Sequence, residues 1–542
     1  MTRHFNIADL FELVVDRVPE RTALVCGDQR DNYAELDARA NRLAHYLASR
    51  GVGAGDHVGL YLYNCNEYLE GMLACFKIRA VPININYRYV EEELVYIFDN
   101  ADLVAAIHHK EFSPHIHAVR DQLTGLHTLV HVDDDSGADP AIIDSLEYEA
   151  ALAGQSAERD FGERSDDDLF ILYTGGTTGM PKGVMWPHKN VFYAALGGGG
   201  FFHPDGPIER PEQIAERVGD FVMVGMALAP LMHGACWWFA CIQLLAGHTV
   251  VLNPNHHLDG EQVWDIVERE KVNSLTIVGD AMAIPLLDAL EANPGRWDLG
   301  AVFNVGSGGA VFSPAKQDAF KKHFPNVFIT NSFGSSEGGA MGMDGGGKRG
   351  QGLGNVQRSP FMSVLVEEAG GSYREARPGE KGIFARSGHI PVGYYNDPEK
   401  TAKTFVQAEG KTWSVLGDEA VLEEDDSITV YGRGSNCINS GGEKIYPEEV
   451  EQALKHHPAV FDCLVVGTPD ERFGSKVTAV VTARDGQPID LDSLKQVARE
   501  HIAGYKLPRE LHLVPEIPRA PSGKPLYPKA LELVSSGQYR QA

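Results

Sequence analysis

Cysteine is scarce in this 542-residue chain: Cys26, Cys65, Cys75, Cys236, Cys241, Cys437 and Cys463 are scattered, odd in number and form no Cys-x-x-Cys pair. That supports neither a disulfide framework nor a cysteine-held zinc site, and it reads as reduced, mostly buried thiols in a cytoplasmic protein. Positive charge is short as well, with 48 Lys and Arg against 75 Asp and Glu and a formal charge of −27. No basic cluster is visible, which argues against a nucleic-acid surface. An acidic chain repels anions at long range, so any anion site must be local. Uninterrupted apolar runs of membrane length are missing too. Residues 221–252 contain no Asp, Glu, Lys or Arg, but Gly225, Pro230, His233, Gly234, Gln243 and Gly247 break them up. Strand, loop, buried helix and strand fit this stretch better than a transmembrane span. The N-terminus places Leu10, Phe11, Val14, Val15 and Val18 on one helical face, which is an amphipathic helix and not a signal peptide.

Length beyond one ordinary core predicts two or more domains. Strand-like Ala23–Cys26, Val58–Leu62 and Ala80–Asn84 alternate with helical patterns over Tyr33–Arg50 and Glu67–Lys77, while Asp28–Arg30 reads as a turn. This predicts an α/β fold: a large multi-layer N-terminal domain with mostly parallel sheets, followed by a small α+β C-terminal domain. Residues 132–168 are polar with weak periodicity and predict a surface excursion. The runs Asp133–Asp135 and Asp166–Asp168 read as solvated turns without a metal.

The most informative stretch is Tyr173-Thr174-Gly175-Gly176-Thr177-Thr178-Gly179-Met180-Pro181-Lys182-Gly183-Val184, which follows the apolar run Leu169–Leu172. A strand runs into a loop suited to anions: glycine backbone N–H groups approach phosphate oxygens, threonine hydroxyls add donors and Lys182 adds a point charge. A Walker loop would carry glycine before its lysine and Ser or Thr after it; Pro181 and Gly183 stand there instead.

This loop resembles the phosphate-binding signature of the adenylate-forming superfamily, with Thr174-Gly175-Gly176 in place of the usual Thr-Ser-Gly. Further segments resemble the same superfamily in the same order. Pro230-Leu231-Met232-His233-Gly234 is similar to a Pro-Leu-x-His motif whose histidine borders the acyl pocket. Trp237 and Trp238 follow it as pocket lining or core. Asn304-Val305-Gly306-Ser307-Gly308-Gly309-Ala310 is similar to the Ser-Gly-Gly-Ala-Pro-Leu segment near adenine and carboxylate, with Val311-Phe312 for Pro-Leu. Asn331-Ser332-Phe333-Gly334-Ser335-Ser336-Glu337 resembles Asn-x-Tyr-Gly-x-Thr-Glu. Leu416-Gly417-Asp418 and Gly432-Arg433 resemble the ribose-contacting pair, and Ser435 stands where the hinge residue is often Asp. Asn439-Ser440-Gly441-Gly442-Glu443-Lys444 resembles the loop of the pantetheine tunnel, with Asn439 where lysine is common. Pro518-Arg519-Ala520-Pro521-Ser522-Gly523-Lys524 resembles the terminal lysine motif.

The resemblance implies an acyl-CoA synthetase with ATP, CoA and a carboxylic acid as small-molecule partners and Mg²⁺ as cofactor. It implies an adenylation domain over residues 1–432, a hinge at 433–435 and a mobile C-terminal lid over 436–542. Implied catalytic residues are Lys524, Glu337 and His233. Implied nucleotide and CoA contacts are Thr174, Gly175, Gly176, Thr177, Thr178, Gly179, Lys182, Gly308–Ala310, Ser332–Ser336, Asp418, Arg433 and Gly441–Lys444. His233, Trp237, Gly279 and Ser307 would line the acid pocket, and Glu337 with Thr174 would hold Mg²⁺. Gly279-Asp280-Ala281-Met282 and Thr177–Trp186 look most like bacterial long-chain and steroid-side-chain ligases. Medium-chain or aryl acids, and a luciferase-like adenylating oxygenase, remain as alternatives. A homodimer is left open.

Overall fold

Runs such as Phe170-Ile171-Leu172 and Val250-Val251-Leu252 are apolar at consecutive positions, so a strand made of them must be covered on both faces. The computed structural model does this by stacking helices on either side of, and between, two sheets. It describes the chain except residues 1, 90, 177–178, 202, 311, 345–353, 434–435, 441–442, 471–473, 485–486, 503, 521–522 and 540–542. It describes backbone alone at 175–176, 179, 343–344, 354, 432–433, 439, 443–444 and 474.

Among the described residues, one eight-stranded sheet runs Gly339–Asp344, Phe328–Ser335, Asn304–Gly308, Ser274–Ile277, Val224–Ala227, Thr249–Leu252, Thr22–Cys26, Gln29–Asn32. Its six inner strands are parallel and its edge strands antiparallel. The second eight-stranded sheet runs Gly393–Tyr394, Gly179–Pro187, Leu169–Gly176, Val81–Asn84, His57–Tyr61, Leu103–His109, Thr128–Val132, Leu146–Glu147. Parallel pairing there gives way to an antiparallel hairpin at Leu169–Pro187. Helices Ile7–Arg17, Tyr33–Ser49, Asn66–Lys77 and Gly234–Leu245 fill the space between the sheets in one shared core. Gly234–Leu245 is apolar all round because both of its sides meet protein.

Residues 221–252 form strand, loop, buried helix and strand as their broken pattern predicts. Three local readings differ. Arg30 lies in the strand Gln29–Asn32, hairpin-paired with Thr22–Cys26, where a turn was expected over Asp28–Arg30. Asp168 is no solvated turn residue: Arg79 pairs with it at 2.8 Å and Asn6 donates to it at 3.0 Å. Asp9 and Glu12, which stand between the apolar positions of the first helix and read there as the polar side of an amphipathic pattern, are buried against Arg3, Arg164 and, for Glu12, Lys77. An antiparallel seven-stranded sheet over residues 354–433, which the short alternating segments there did not betray, completes the large domain.

The C-terminal region has its own core. Strands Val460–Asp470, Gly474–Ala483 and Glu510–Leu513 carry helices Pro447–Leu454 and Leu491–Ala498 on one face and Tyr527–Ser535 on the other.

Burial pushes the imidazoles of His108, His109, His188, His233 and His248 down to about 4. Each stays neutral in the fold, whereas the unfolded chain takes up a proton near ~6.5. Their contribution to stability is complete above that value and is lost as pH falls through it toward about 4. Burial also raises Glu70 and Glu451 to about 7 and Glu448 to about 8, an opposing trend carried by fewer groups. The melting temperature should therefore drop between about pH 7 and about pH 5. Calorimetry showing a higher value at the lower pH would contradict this account.

Candidate active site

The parallel strands of both sheets end at one crevice, the usual ligand position in open α/β folds. Asn84, at the carboxyl end of Val81–Asn84, joins its walls. Its amide donates to Tyr173 O and to Met232 O, each at 2.8 Å, and its Oδ1 accepts from Tyr173 N at 2.7 Å. The glycine-rich hairpin and the Leu231–His233 turn are thus held by one side chain.

The hairpin pairs Thr174 with Lys182 and Gly176 with Gly179; Thr177 and Thr178, at its tip, lie outside the described residues. Lys182 Nζ is 2.7 Å from Asp397 Oδ2, and that hydrogen bond raises the lysine and lowers the aspartate. The same Asp397 caps helix Pro398–Thr404. The point charge expected at the loop is thus already matched by a carboxylate from a segment far away in the chain.

Buried Trp186, on the second hairpin strand, donates from Nε1 to Ser336 O at 2.8 Å. Tyr394, paired with Val184 on that same strand, donates from its hydroxyl to Glu337 Oε1 at 2.8 Å. Two contacts therefore tie the Ser335–Glu337 turn to the glycine-rich hairpin. Glycine is required in this turn: a methyl on Gly334 would drive into the backbone carbonyl of Gly339, itself at φ +69° and packed on Ala194. Gly334→Ala should destabilise the fold by about 1–3 kcal/mol. Urea unfolding checks that figure, and loss of nucleotide binding should accompany it.

Phe333 lies opposite Gly342 and packs its ring 5.6 Å from that of Phe384. Ser332 Oγ donates to Ser307 O at 3.0 Å, and Ser307 Oγ accepts from Gly279 N at 3.0 Å. Ser307, Gly279 and Ser332 are thereby linked in one line. Gly308 pairs with Ser332, and Gly309 follows at φ +81°. Asp418 lies in a bulge: Ile383 pairs with Glu419 and Ala385 with Val415, and Gly417 at φ +80° turns the chain between them. Arg433 is Asp418's cross-strand neighbour.

The C-terminal region closes over this crevice. A methyl on Gly523 would lie 3.8 Å from Val278 Cγ1 and 3.9 Å from Ala281 Cβ, so the turn bearing Lys524 rests on the start of helix Gly279–Ala292. His233 responds to it. Burial, then Lys524, then Arg88 hold its imidazole down at about 4, and its Nε2 is buried with no hydrogen-bond partner among the described residues. Across the same interface, burial, Glu451 and Asp418 raise the Glu448 carboxyl. Lys524 thus acts on His233 of the large domain, and Asp418 of that domain acts on Glu448.

Such a union of nucleotide-type loops and a terminal lysine turn has counterparts among known proteins. Residues 11–395 match the AMP-binding enzyme family, and residues 449–524 match the AMP-binding enzyme C-terminal domain. The chain belongs to the AMP-binding enzyme family. A 3-oxocholest-4-en-26-oate–CoA ligase of Rhodococcus rhodochrous is 48% identical over 96% of this chain and 94% of its own. A medium/long-chain-fatty-acid–CoA/3-oxocholest-4-en-26-oate–CoA ligase of Mycobacterium marinum is 44% identical over 97% and 96%. An anthranilate CoA ligase in complex with anthranoyl-AMP shares the fold at a TM-score of 0.83, with 22% identity over 99% of each chain.

Within this family member, Trp237 is a sequence-predicted pocket residue that proves to be core. It is 1% exposed and stacks on Phe170 at 4.2 Å, with one edge on a small enclosed cavity shared with Leu60, Leu172 and Leu231. A cleft of about 780 Å³ around Phe361, Ile390 and Val392 lies apart from the crevice residues. Gly441 and Gly442, like Ser435 of the expected hinge, lie outside the described residues; Glu443 and Lys444 are described as backbone, in the strand Glu443–Ile445. Sequence reasoning missed Asn84, Tyr394 and Asp397 as site residues. A polar residue ending a buried strand was the available signal for Asn84. No local signal marked the other two. Among the described residues, no helix is long and apolar enough to cross a membrane.

Proposed function

We propose that the protein joins a bulky apolar carboxylic acid, of the steroid-side-chain or long-chain type, to CoA through an acyl-adenylate. It is an AMP-forming acid–thiol ligase, with ATP and CoA as co-substrates. The observation that carries the reading is the seating of the Gly523–Lys524 turn on the Val278–Ala281 segment, beside Ser307 and close enough to act on His233.

In the first half-reaction the acid's carboxylate attacks the α-phosphorus of ATP and pyrophosphate leaves. Charge grows on phosphate oxygens, and what lowers the barrier is donors and cations fixed in advance around them. The hairpin 174–182 offers backbone N–H groups, Ser336 offers a hydroxyl and Lys524 the ammonium that the lid brings. Neutral His233, its buried Nε2 without a partner among the described residues, positions the acid without adding charge. Asp418, re-aimed by its bulge, takes the ribose hydroxyls with Arg433. In the second half-reaction the lid, residues 436–542, turns about 433–435, withdraws Lys524 and brings the 441–444 loop, so that the CoA thiol attacks the mixed anhydride and AMP leaves.

Magnesium fits this site. An ion that favours phosphate oxygens and water needs only a carboxylate such as Glu337, with the Thr174 hydroxyl as the other expected ligand. Glu337 keeps Oε2 without a protein hydrogen bond among the described residues, Oε1 being taken by Tyr394. When bound, the ion supplies positive charge to the polyphosphate.

For the acid, support comes from the relatives named as 3-oxocholest-4-en-26-oate and medium/long-chain-fatty-acid CoA ligases. Acid-dependent ATP–pyrophosphate exchange across a panel of C26 steroid, long-chain, medium-chain and aryl acids, with and without CoA, tests the reading. Exchange confined to aryl acids would overturn the substrate class, and absence of exchange would overturn the ligase assignment.

A further inference from the structure

Asp280 occupies the first turn of helix Gly279–Ala292 and is 3% exposed. Its Oδ1 accepts from Ser313 N at 2.8 Å and from Ser313 Oγ at 3.1 Å. Among the described residues its Oδ2 accepts no hydrogen bond, but it lies 3.1 Å from the ammonium of Lys455, a contact made by charge. Lys455 belongs to the C-terminal region, where it ends helix Pro447–Leu454, and its side chain is almost wholly buried. The same ammonium is 3.6 Å from Asp462 Oδ1. Arg519 grips Asp462 with Nε and Nη2, both at 2.8 Å, and donates from Nη1 to Gly523 O at 2.9 Å. A line of alternating charge therefore runs from the helix whose Gly279 meets Ser307 to the residue before Lys524.

We propose that Asp280 and Lys455 form a clasp specific to the lid position that presents Lys524, and are positioning residues for adenylation but not for thioester formation. The inference rests on the ligase reading above, in which Lys524 serves the first half-reaction. The geometry singles out one link. Asp462, Arg519 and Gly523 lie together in the C-terminal region and travel with it, whereas Asp280 stays behind. Any rotation of the lid parts Asp280 from Lys455 and leaves the other contacts whole. Once apart, both groups regain water, so the break is tolerable in a way that an unpaired buried charge would not be. Burial alone pulls the Lys455 ammonium toward neutrality, and Asp280 and Asp462 more than reverse this, so the clasp is ionic when closed. The other ion pair reaching this helix, Arg484 with Asp288 at 3.5 Å, is partly in solvent and holds little by comparison. Asp280 already has Ser313, so capping that loop accounts for Oδ1 but leaves Oδ2 and the buried lysine unexplained.

The test uses the full chain as Asp280→Asn, Lys455→Met and the double variant, with the acid giving the fastest wild-type exchange. Acid-dependent ATP–pyrophosphate exchange reports adenylation, and CoA thioester formation from supplied acyl-adenylate reports the second step. Each single variant should lose about 10- to 100-fold in exchange and stay within about twofold in thioester formation. The double variant should lose about as much as the more affected single one, because both changes remove the same link. Exchange near the wild-type rate in Lys455→Met, or equal loss of both steps, overturns the proposal. If Asp280→Asn disturbs the Ser313 loop, Lys455→Met decides alone. Failure of Lys455→Met to fold also overturns the proposal, since a group needed in every lid position is not specific to one. Absence of exchange in the wild type refutes the ligase reading instead, and is seen before any variant is made.

Discussion

Lys524→Ala is expected to lower acid-dependent ATP–pyrophosphate exchange by about 10²–10³-fold and to leave thioester formation from supplied acyl-adenylate within about threefold of wild type. The asymmetry follows from where the lysine sits. Its turn is carried on a separate core and rests on Val278 and Ala281. Lys524 itself lies in neither a strand nor a helix, and in the proposed mechanism its loss removes a cation from the first step. A second readout is independent of turnover. Burial, Lys524 and Arg88 together hold His233 at about 4. In Lys524→Ala one of the two cations is gone, and the imidazole should titrate higher by NMR. Equal loss of both half-reactions, or an unmoved His233, would contradict the placement.

Glu337→Gln should cost about 10²–10³-fold in exchange, with the fold intact. The amide oxygen of glutamine can still accept from Tyr394, which donates to Oε1 at 2.8 Å, and Ser414 still reaches the backbone carbonyl of residue 337. What disappears is the negative charge. The dependence of ATP affinity on Mg²⁺, measured by calorimetry without any acid, should weaken in parallel. A variant that binds Mg²⁺-ATP like the wild type would remove Glu337 from the metal.

Much of the fold was legible because its parallel strands are buried on both faces and announce themselves as short apolar runs, as at Leu169–Leu172. The glycine-rich segments could be read one at a time, but as loops, whereas Gly175–Gly176, Gly308 and Gly334 lie at or near the ends of strands Leu169–Gly176, Asn304–Gly308 and Phe328–Ser335. Side chains that act across the fold were not legible. Asp397 meets Lys182, Tyr394 meets Glu337 and Asn84 meets both Tyr173 and Met232 only because the sheets bring distant segments together. Nothing in the spacing of a single segment encodes such a meeting. The antiparallel sheet over 354–433 escaped for another reason: strands such as Tyr373–Glu375 are half-buried and charged, without the apolar signature of the inner strands.

The grip of Arg519 on both Asp462 and the Gly523 carbonyl has a consequence for turnover. The turn with the lysine is shaped inside its own region, before docking begins. In the proposed cycle the lid's orientation is what must be restricted, and the bond from Arg519 to the Gly523 carbonyl lessens the internal freedom of the residue before Lys524.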